Sequence, residues 1–358
     1  MTTASRLLMG AAARLLSARH GAWAQAMQAE AKAIEDEREA LAFAWGCLCT
    51  ALGHAFASAR AGLGQVHHFG VLACSATVLL GCVYMHRAGA PSHYVWINLL
   101  SLAFALVTFR LLPLQRLQAD ELLRAKASFA MGAALLVLSS GPMFTGAVAW
   151  LRLGSLPLNL AWLLLPPLLV AADVRRLPAA RGWALGGLLM ACLALALMAD
   201  VALMGLAAVV LSVLAWRDRS TALALLAWVT AVMALHVGQR WQTPEALDFV
   251  DRVLIGGMDR SLAIGLALAL LQLLPLGPAL RYRGAHIHGL VWGLLVALSL
   301  PGWLPSPLVG FGGSFICAYV LSLALMSEGS AERPAARRWH VSLRRRRHPP
   351  PLPHSSLT

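Results

Sequence analysis

The chain has 358 residues, of which 59% are hydrophobic and 13% are charged, and its formal net charge is +13. A soluble domain of this length is rarely so apolar, so the composition excludes an ordinary soluble enzyme and predicts a polytopic α-helical membrane protein. The basic excess does not indicate nucleic-acid binding, because seven arginines are concentrated after Ala331 in a tail with almost no interleaved aromatic residues.

Residues 1–67 differ in pattern from the rest of the chain. Their first segment places apolar residues on one helical face and Arg6 and Arg14 on the other, and a segment rich in acidic residues follows. This pattern predicts a cytoplasmic prefix of amphipathic helices that lie on the membrane surface. Residues 40–57 are also apolar enough to be a candidate span, so the role of this part stays open.

The chain from residue 68 to residue 326 is predicted to be a transmembrane domain of about ten helices. The predicted spans are 69–86, 95–112, 127–149, 156–172, 183–199, 201–216, 221–237, 261–280, 287–304 and 308–326. The adjacent Pro166 and Pro167 are expected to break the fourth span, because proline has no backbone donor.

Arginine and lysine are distributed unevenly between the connections of these spans. Alternate connections carry 11 basic residues and the other set carries 5. The positive-inside rule therefore predicts that both termini lie in the cytoplasm. Residues 327–358 are then a basic, disordered cytoplasmic tail that contacts anionic lipid.

The connection at residues 236–261 is the longest on the predicted outer side. Thr243-Pro244-Glu245 is typical of a helix start, with a capping hydroxyl, a proline at the first position and an acid in the first turn. Apolar residues then recur at helical spacing, at Leu247, Val250, Leu254 and Met258. The pattern predicts a short amphipathic helix that turns Asp248, Asp251 and Arg252 towards water.

A cluster of glycines precedes the last predicted span. The segment PLVGFGGS, residues 307–314, resembles the P-x-[IV]-S-Y-G-G-S motif of the SEDS polymerases, the RodA and FtsW group of the bacterial inner membrane. Three further patches are similar to motifs of that family in the same order: GAVAWLRLGSLPLN (146–159), LMADVALMGL (197–206) and PEALDFV (244–250). The topology prediction places all four patches on the extracytoplasmic side.

The resemblance implies peptidoglycan synthesis during cell elongation or division, with polymerisation of a lipid-linked disaccharide (lipid II). It implies Asp248 and Asp200 as catalytic carboxylates and five substrate-binding residues: Arg152, Arg240, Gly312, Gly313 and Ser314. The implied partners are membrane lipid, an undecaprenyl-linked glycan and a penicillin-binding-protein-like protein. No metal ligands or other cofactor are indicated, although a divalent cation suits a departing diphosphate.

Two other functions remain open from the residues themselves. Directly before the first patch, Thr145 stands where the family has Asn. Within the patch, Val148 and Ala149 stand where the family has two arginines, and the Glu that closes the family motif is absent. These differences favour a non-catalytic protein of envelope assembly that binds lipid or partners. A secondary transporter is the other alternative, because QRLQ (115–118) and QRWQ (239–242) suggest a five-plus-five inverted repeat.

Overall fold

The computed structural model describes most of the chain after residue 64. The described ranges are 65–140, 150–153, 156–175, 177–239 and 247–327, and before them residues 5, 9–10, 12, 21–34, 36–37, 39–47 and 50. Arg240, much of residues 40–57 and the predicted tail after residue 327 lie outside these ranges.

The described residues form fourteen α-helices and one short β-hairpin. The helices are α1 (Gly21–Ala33), α2 (Gln65–Arg87), α3 (Ser92–Leu111), α4 (Leu114–Ala119), α5 (Glu121–Ser139), α6 (Leu160–Ala171), α7 (Pro178–Met198), α8 (Val201–Asp218), α9 (Thr221–Gly238), α10 (Val253–Arg260), α11 (Leu262–Leu273), α12 (Gly277–Arg281), α13 (His286–Ser299) and α14 (Gly313–Leu325). Strands β1 (Trp150–Leu153) and β2 (Leu156–Asn159) pair antiparallel between α5 and α6.

Seven helices are long and apolar enough to cross a membrane. They are α2, α3, α5, α7, α8, α9 and the continuous segment Leu262–Leu280, which joins α11 to α12. Three shorter apolar helices, α6, α13 and α14, accompany them. The chain is therefore a multi-pass, all-α membrane protein, whereas the count of ten crossings and the cytoplasmic position of both termini stay predictions.

The outer helices expose large apolar side chains, as expected for surfaces that contact lipid. In α9, Leu225, Trp228 and Leu235 are 63%, 65% and 72% exposed. In water, so wide an apolar surface would cause aggregation, whereas in a bilayer it contacts lipid chains that are as apolar as leucine. This exposure agrees with the composition in identifying a membrane domain.

Polar side chains mark the starts of five helices. Each of them accepts a hydrogen bond from a backbone N–H group in the first turn, which would otherwise be unsatisfied in an apolar environment. The caps are Asp120 for α5, Asn159 for α6, Asp200 for α8, Ser220 for α9 and Ser261 for α11. The capping side chains in these connections thus determine where the five helices begin.

The short helices α6 and α14 form the centre of the bundle. Eleven of the thirteen residues of α14 are buried, and this helix packs against α2, α3 and α6. Its side chains Phe315 and Tyr319 contact the ring of Trp292 in α13, with centroid distances of 6.3 and 4.8 Å. The core therefore lies around α14, directly after the glycine cluster.

The fourth predicted span differs from the structure in two respects. Residues 156–159 form β2, so the helix begins at Leu160 rather than at residue 156. The expected break at Pro166 and Pro167 is also wrong, because α6 continues through both prolines. Both prolines are buried among neighbouring helices. Each proline removes one backbone hydrogen bond of the helix. Because no water competes there for the remaining backbone hydrogen bonds, the helix tolerates this loss.

Candidate functional site

The candidate site is built around the loop between α13 and α14, residues 306–312, called the glycine loop below. Residues 306–310 are all buried. Val309 lies against Gly81 of α2, where an added Cβ would come within 2.6 Å of the Val309 carbonyl oxygen. Leu308 has a φ of 65°, in the left-handed region that is unusual for a non-glycine residue. The loop is thus packed into the bundle rather than lying over its surface.

Asn98 of α3 holds the backbone of the glycine loop. Its Nδ2 donates to the carbonyl oxygen of Gly310 at 3.0 Å, and its Oδ1 accepts from the N–H group of Gly312 at 3.2 Å. Asn98 is fully buried, and these bonds satisfy both its amide group and two backbone groups of the loop. Sequence reasoning did not select Asn98, although a lone amide within an apolar span is a signal that could have found it.

Ser314, one of the predicted substrate-binding residues, joins α14 to the first patch. Its Oγ accepts a hydrogen bond at 2.9 Å from the backbone N–H group of Asn159, the last residue of β2. The Asn159 Oδ1 accepts from the N–H group of Trp162 at 3.1 Å, and the Trp162 ring stacks on Phe315. The buried Asn159 Nδ2 donates to no described residue, so it remains available as a hydrogen-bond donor.

The segment 247–252 lies directly on the glycine loop. The N–H group of Phe311 donates to the carbonyl oxygen of Phe249 at 2.7 Å, and that of Ser306 donates to the carbonyl oxygen of Val250 at 2.8 Å. The Ser306 Oγ in turn accepts from the N–H group of Val253 at 3.2 Å. These bonds join the fourth sequence patch to the glycine patch.

The amphipathic helix predicted from Thr243-Pro244-Glu245 begins later than expected. Residues 240–246 lie outside the described ranges, residues 247–252 form a turn, and α10 begins at Val253. Phe249 and Arg252 are left-handed, with φ values of 62° and 51°. The carbonyl groups of Phe249 and Val250 accept hydrogen bonds from the glycine loop. These bonds compete with the hydrogen bonds that the same groups would accept within the predicted helix.

Asp248 is exposed in this turn, beside an aromatic and basic corner. It lies within electrostatic range of the Tyr84 hydroxyl group in α2. The guanidinium carbon of Arg260 lies 5.8 Å from the Tyr84 ring centroid and 5.7 Å from that of Phe249. Arg260 also donates to the carbonyl oxygen of Ala88 at 2.9 Å. A carboxylate and a fixed cation thus share one corner, and the sequence had indicated only the carboxylate.

Asp251, three residues further on, has a structural role. Its Oδ2 accepts from the N–H group of Leu247 at 3.0 Å, which closes the turn. Burial raises the pKa of Asp251, against the opposing effects of this hydrogen bond and of the nearby Arg252. The two aspartates of the turn therefore differ, with Asp251 holding the backbone and Asp248 facing outwards.

Asp200 lies at the same end of the bundle as the glycine loop. Arg217 at the end of α8 pairs with Asp173 just after α6, with a distance of 2.8 Å from Nη1 to Oδ1. Because the C-terminal ends of α6 and α8 lie together, the two helices run in the same direction. Their starts, marked by Asn159 and Asp200, therefore lie at the opposite end of the bundle. We call this the loop end, and the end with Asp173 and Arg217 the ion-pair end.

The carboxylate of Asp200 caps α8 and is strongly affected by burial. Its Oδ1 accepts from the N–H group of Leu203 at 3.0 Å. Burial raises the pKa of Asp200 to about 6, and hydrogen bonds from Leu203 and Ala202 oppose the shift. No hydrogen bond or ion pair between described residues joins Asp200 to the glycine loop or to Asp248.

Of the two arginines predicted to bind substrate, Arg152 and Arg240, only the backbone of Arg152 is described. Arg152 lies in β1 and pairs with Pro157 of β2. Within the described ranges, no group of three or more His, Cys, Asp or Glu side chains is arranged to hold a metal ion. Comparison with protein-family models, curated proteins and solved structures gave no match to this chain.

Proposed function

We propose that this membrane protein takes part in cell-envelope assembly and binds an undecaprenyl-linked glycan at the loop end, as the SEDS-like motifs suggest. One observation carries the proposal. Three patches that are far apart in the sequence meet around the start of α14, through the hydrogen bonds of Asn159 to Ser314 and of Phe311 to Phe249. The connection before α6, the turn before α10 and the glycine loop thus form one packed site at the loop end.

The arrangement at Asp248 supports a chemical role for that residue. In glycan polymerisation a sugar hydroxyl attacks an anomeric carbon, the bond to the diphosphate oxygen breaks, and the hydroxyl proton must be accepted. Asp248 is an exposed carboxylate without an ion pair among the described residues, so it is free to accept that proton. Arg260 in the same corner supplies a positive charge that can hold a phosphate oxygen of the leaving group.

Polymerisation of fluorescent lipid II by the full-length protein in proteoliposomes tests this role. We expect Asp248→Asn to lower the rate by a factor of roughly 10² to 10⁴, the usual contribution of a general base. Asp259→Asn is the matched control, because Asp259 is an exposed aspartate on the adjacent α10 and should leave the rate unchanged. Equal polymerisation by Asp248→Asn and the wild type would refute a catalytic Asp248.

A second observation favours the non-catalytic form of the same proposal. Ser314 and Gly313 are both used in packing, since Ser314 bonds to Asn159 and an added Cβ at Gly313 would overlap Ser101. In that form the protein binds the lipid-linked glycan and recruits a penicillin-binding-protein-like partner. The wild-type protein would then bind lipid II without polymerising it, and Asp248→Asn would still complement a deletion strain.

A further inference from the structure

A groove between α8 and α9 lies at the ion-pair end, away from the candidate site. It has a volume of about 530 Å³ and is lined mainly by small residues. Ala224 and Ala231 lie on one side of α9 and Ala215 lies on α8, so the two helices leave a channel where larger side chains would fill the space. Trp216 and Trp228 also line it, and they are 84% and 65% exposed.

The length of the groove matches one leaflet of a bilayer. It runs along α9 from Thr221 at the turn to Ala231, which is about 15 Å at the helical rise of 1.5 Å per residue. The hydrocarbon core of a bilayer is about 30 Å thick. A single acyl chain that enters from the interface therefore has the length to fill the groove.

The mouth of the groove carries a positive charge that no carboxylate of the described residues neutralises. Arg217 pairs with both Asp173 and Asp218, at 2.8 and 2.7 Å. Arg219 follows in the left-handed turn, is exposed, and forms no ion pair with any residue that the structure describes. The carboxylates next to it are already occupied by Arg217. A guanidinium group is a good partner for a phosphate, to which it can donate two hydrogen bonds.

We propose that this groove binds an anionic phospholipid, with one acyl chain between Trp216 and Trp228 and the phosphate held by Arg219. Arg219, which pairs with no described residue, selects the anionic headgroup, and the apolar channel accommodates the acyl chain. The proposal does not depend on the function of the glycine loop. A second copy of the chain is a poorer occupant, because Arg219 would then be buried against an identical arginine or left without a partner.

Photocrosslinking tests the proposal. The full-length protein is reconstituted in phosphatidylcholine nanodiscs that contain a small amount of phosphatidylglycerol with a photoreactive acyl chain, and labelled peptides are identified by mass spectrometry. We expect labelling concentrated within residues 212–231 and little labelling there by the matching phosphatidylcholine probe. Arg219→Gln should lower the phosphatidylglycerol labelling about fivefold, the factor expected for one cation at an anionic surface, and Arg219→Lys should retain part of it.

Two pairs of variants separate a specific groove from general attraction to lipid. Ala224→Phe fills the groove and should abolish the labelling, whereas Ala222→Phe, at an exposed position outside the groove, should not. Arg116→Gln removes another exposed arginine and should have no effect on these peptides. Equal labelling by both lipid probes, an unchanged result with Arg219→Gln, or protein–protein crosslinks across Ala224 would overturn the proposal.

Discussion

The two ends of the helix bundle are held by different interactions. At the loop end, neutral groups hold the glycine loop and the start of α14: the Asn98 amide, the Ser314 hydroxyl and backbone groups of the turn at Phe249. At the ion-pair end, Asp173 binds Arg217 and Arg175, and Arg217 also binds Asp218. All ion pairs between described residues lie there.

This difference decides which charges remain available at each end. Because neutral groups fix the loop end, its carboxylate Asp248 stays free of ion pairs with described residues. Because Asp173 and Asp218 are already paired with Arg175 and Arg217, Arg219 has no ion-pair partner among the described residues. We therefore expect the loop end to perform proton chemistry on a glycan and the ion-pair end to attract anionic lipid.

The largest loss of stability is expected at the ion-pair end. Asp173→Ala removes a carboxylate that is only 5% exposed and leaves Arg217 with Asp218 alone. Breaking a buried pair in this way should lower the free energy of unfolding by about 3 kcal/mol. Denaturant titration in detergent micelles measures it, with Asp259→Ala as the exposed control that should change it by less than about 0.5 kcal/mol. A loss below 1 kcal/mol for Asp173→Ala, on the order of an exposed pair, would contradict the account.

At the loop end, two neighbouring glycines should differ sharply. An added Cβ at Gly313 would overlap the Ser101 side chain, whereas at Gly312 its nearest neighbour is 3.8 Å away. Gly312 has a φ of 170°, which any residue adopts. Gly313→Ala should therefore cost about 2 kcal/mol of unfolding free energy through overpacking, and Gly312→Ala much less.

Ser101→Ala provides the matched test of this overlap. It removes the hydroxyl that an added Cβ at Gly313 would meet, so the double variant should recover part of the stability lost by Gly313→Ala. Thermal unfolding of the four proteins in detergent completes the double-mutant cycle. Strictly additive effects would show that Ser101 does not set the limit at Gly313.

A smaller effect is expected from the titration of Asp200. Its pKa is raised from 3.8 to about 6 in the folded protein. Since the folded state then holds the proton more tightly than the unfolded state, stability falls as the pH rises from about 4 to 6 and is level above that range. Asp200→Asn keeps an oxygen acceptor for the N–H group of Leu203 and has no proton to lose. Its unfolding midpoint should lack this dependence, and an unchanged pH profile would argue against a buried, titrating Asp200.

The smallest change in stability is expected at Asp248. The side chain is exposed and no ion pair joins it to a described residue, so Asp248→Asn should alter the unfolding free energy by less than about 0.5 kcal/mol. Melting curves of this variant and of Asp259→Asn should therefore overlap. A large loss for Asp248→Asn alone would assign Asp248 a structural role.

The membrane domain could be predicted from the sequence because each spanning helix must be apolar over its own length. The same local pattern failed at residues 247–252, where the carbonyl groups of Phe249 and Val250 accept from residues more than fifty positions away. Asn98 was missed for a related reason, since its partners Gly310 and Gly312 lie on another helix connection. Long-range hydrogen bonds of this kind leave no periodic signal in the sequence.

The candidate carboxylates were recognisable by type and position, but their environments were not. Asp248 and Asp200 carry the same group at the same end of the bundle, and only the packed structure separates an exposed carboxylate from a half-buried helix cap. In the sequence, Arg260 is recognisable only as one basic residue of the connection at residues 236–261. Its place over Tyr84 and Phe249 depends on the docking of α10 against α2.

Binding of a lipid-linked glycan at the loop end can be measured with photoreactive lipid II and the full-length protein in nanodiscs. The account predicts crosslinks to residues 247–253 and 306–314 that unlabelled lipid II removes by competition and phosphatidylglycerol does not. Crosslinks that lie elsewhere in the chain, or that phosphatidylglycerol displaces equally well, would contradict it.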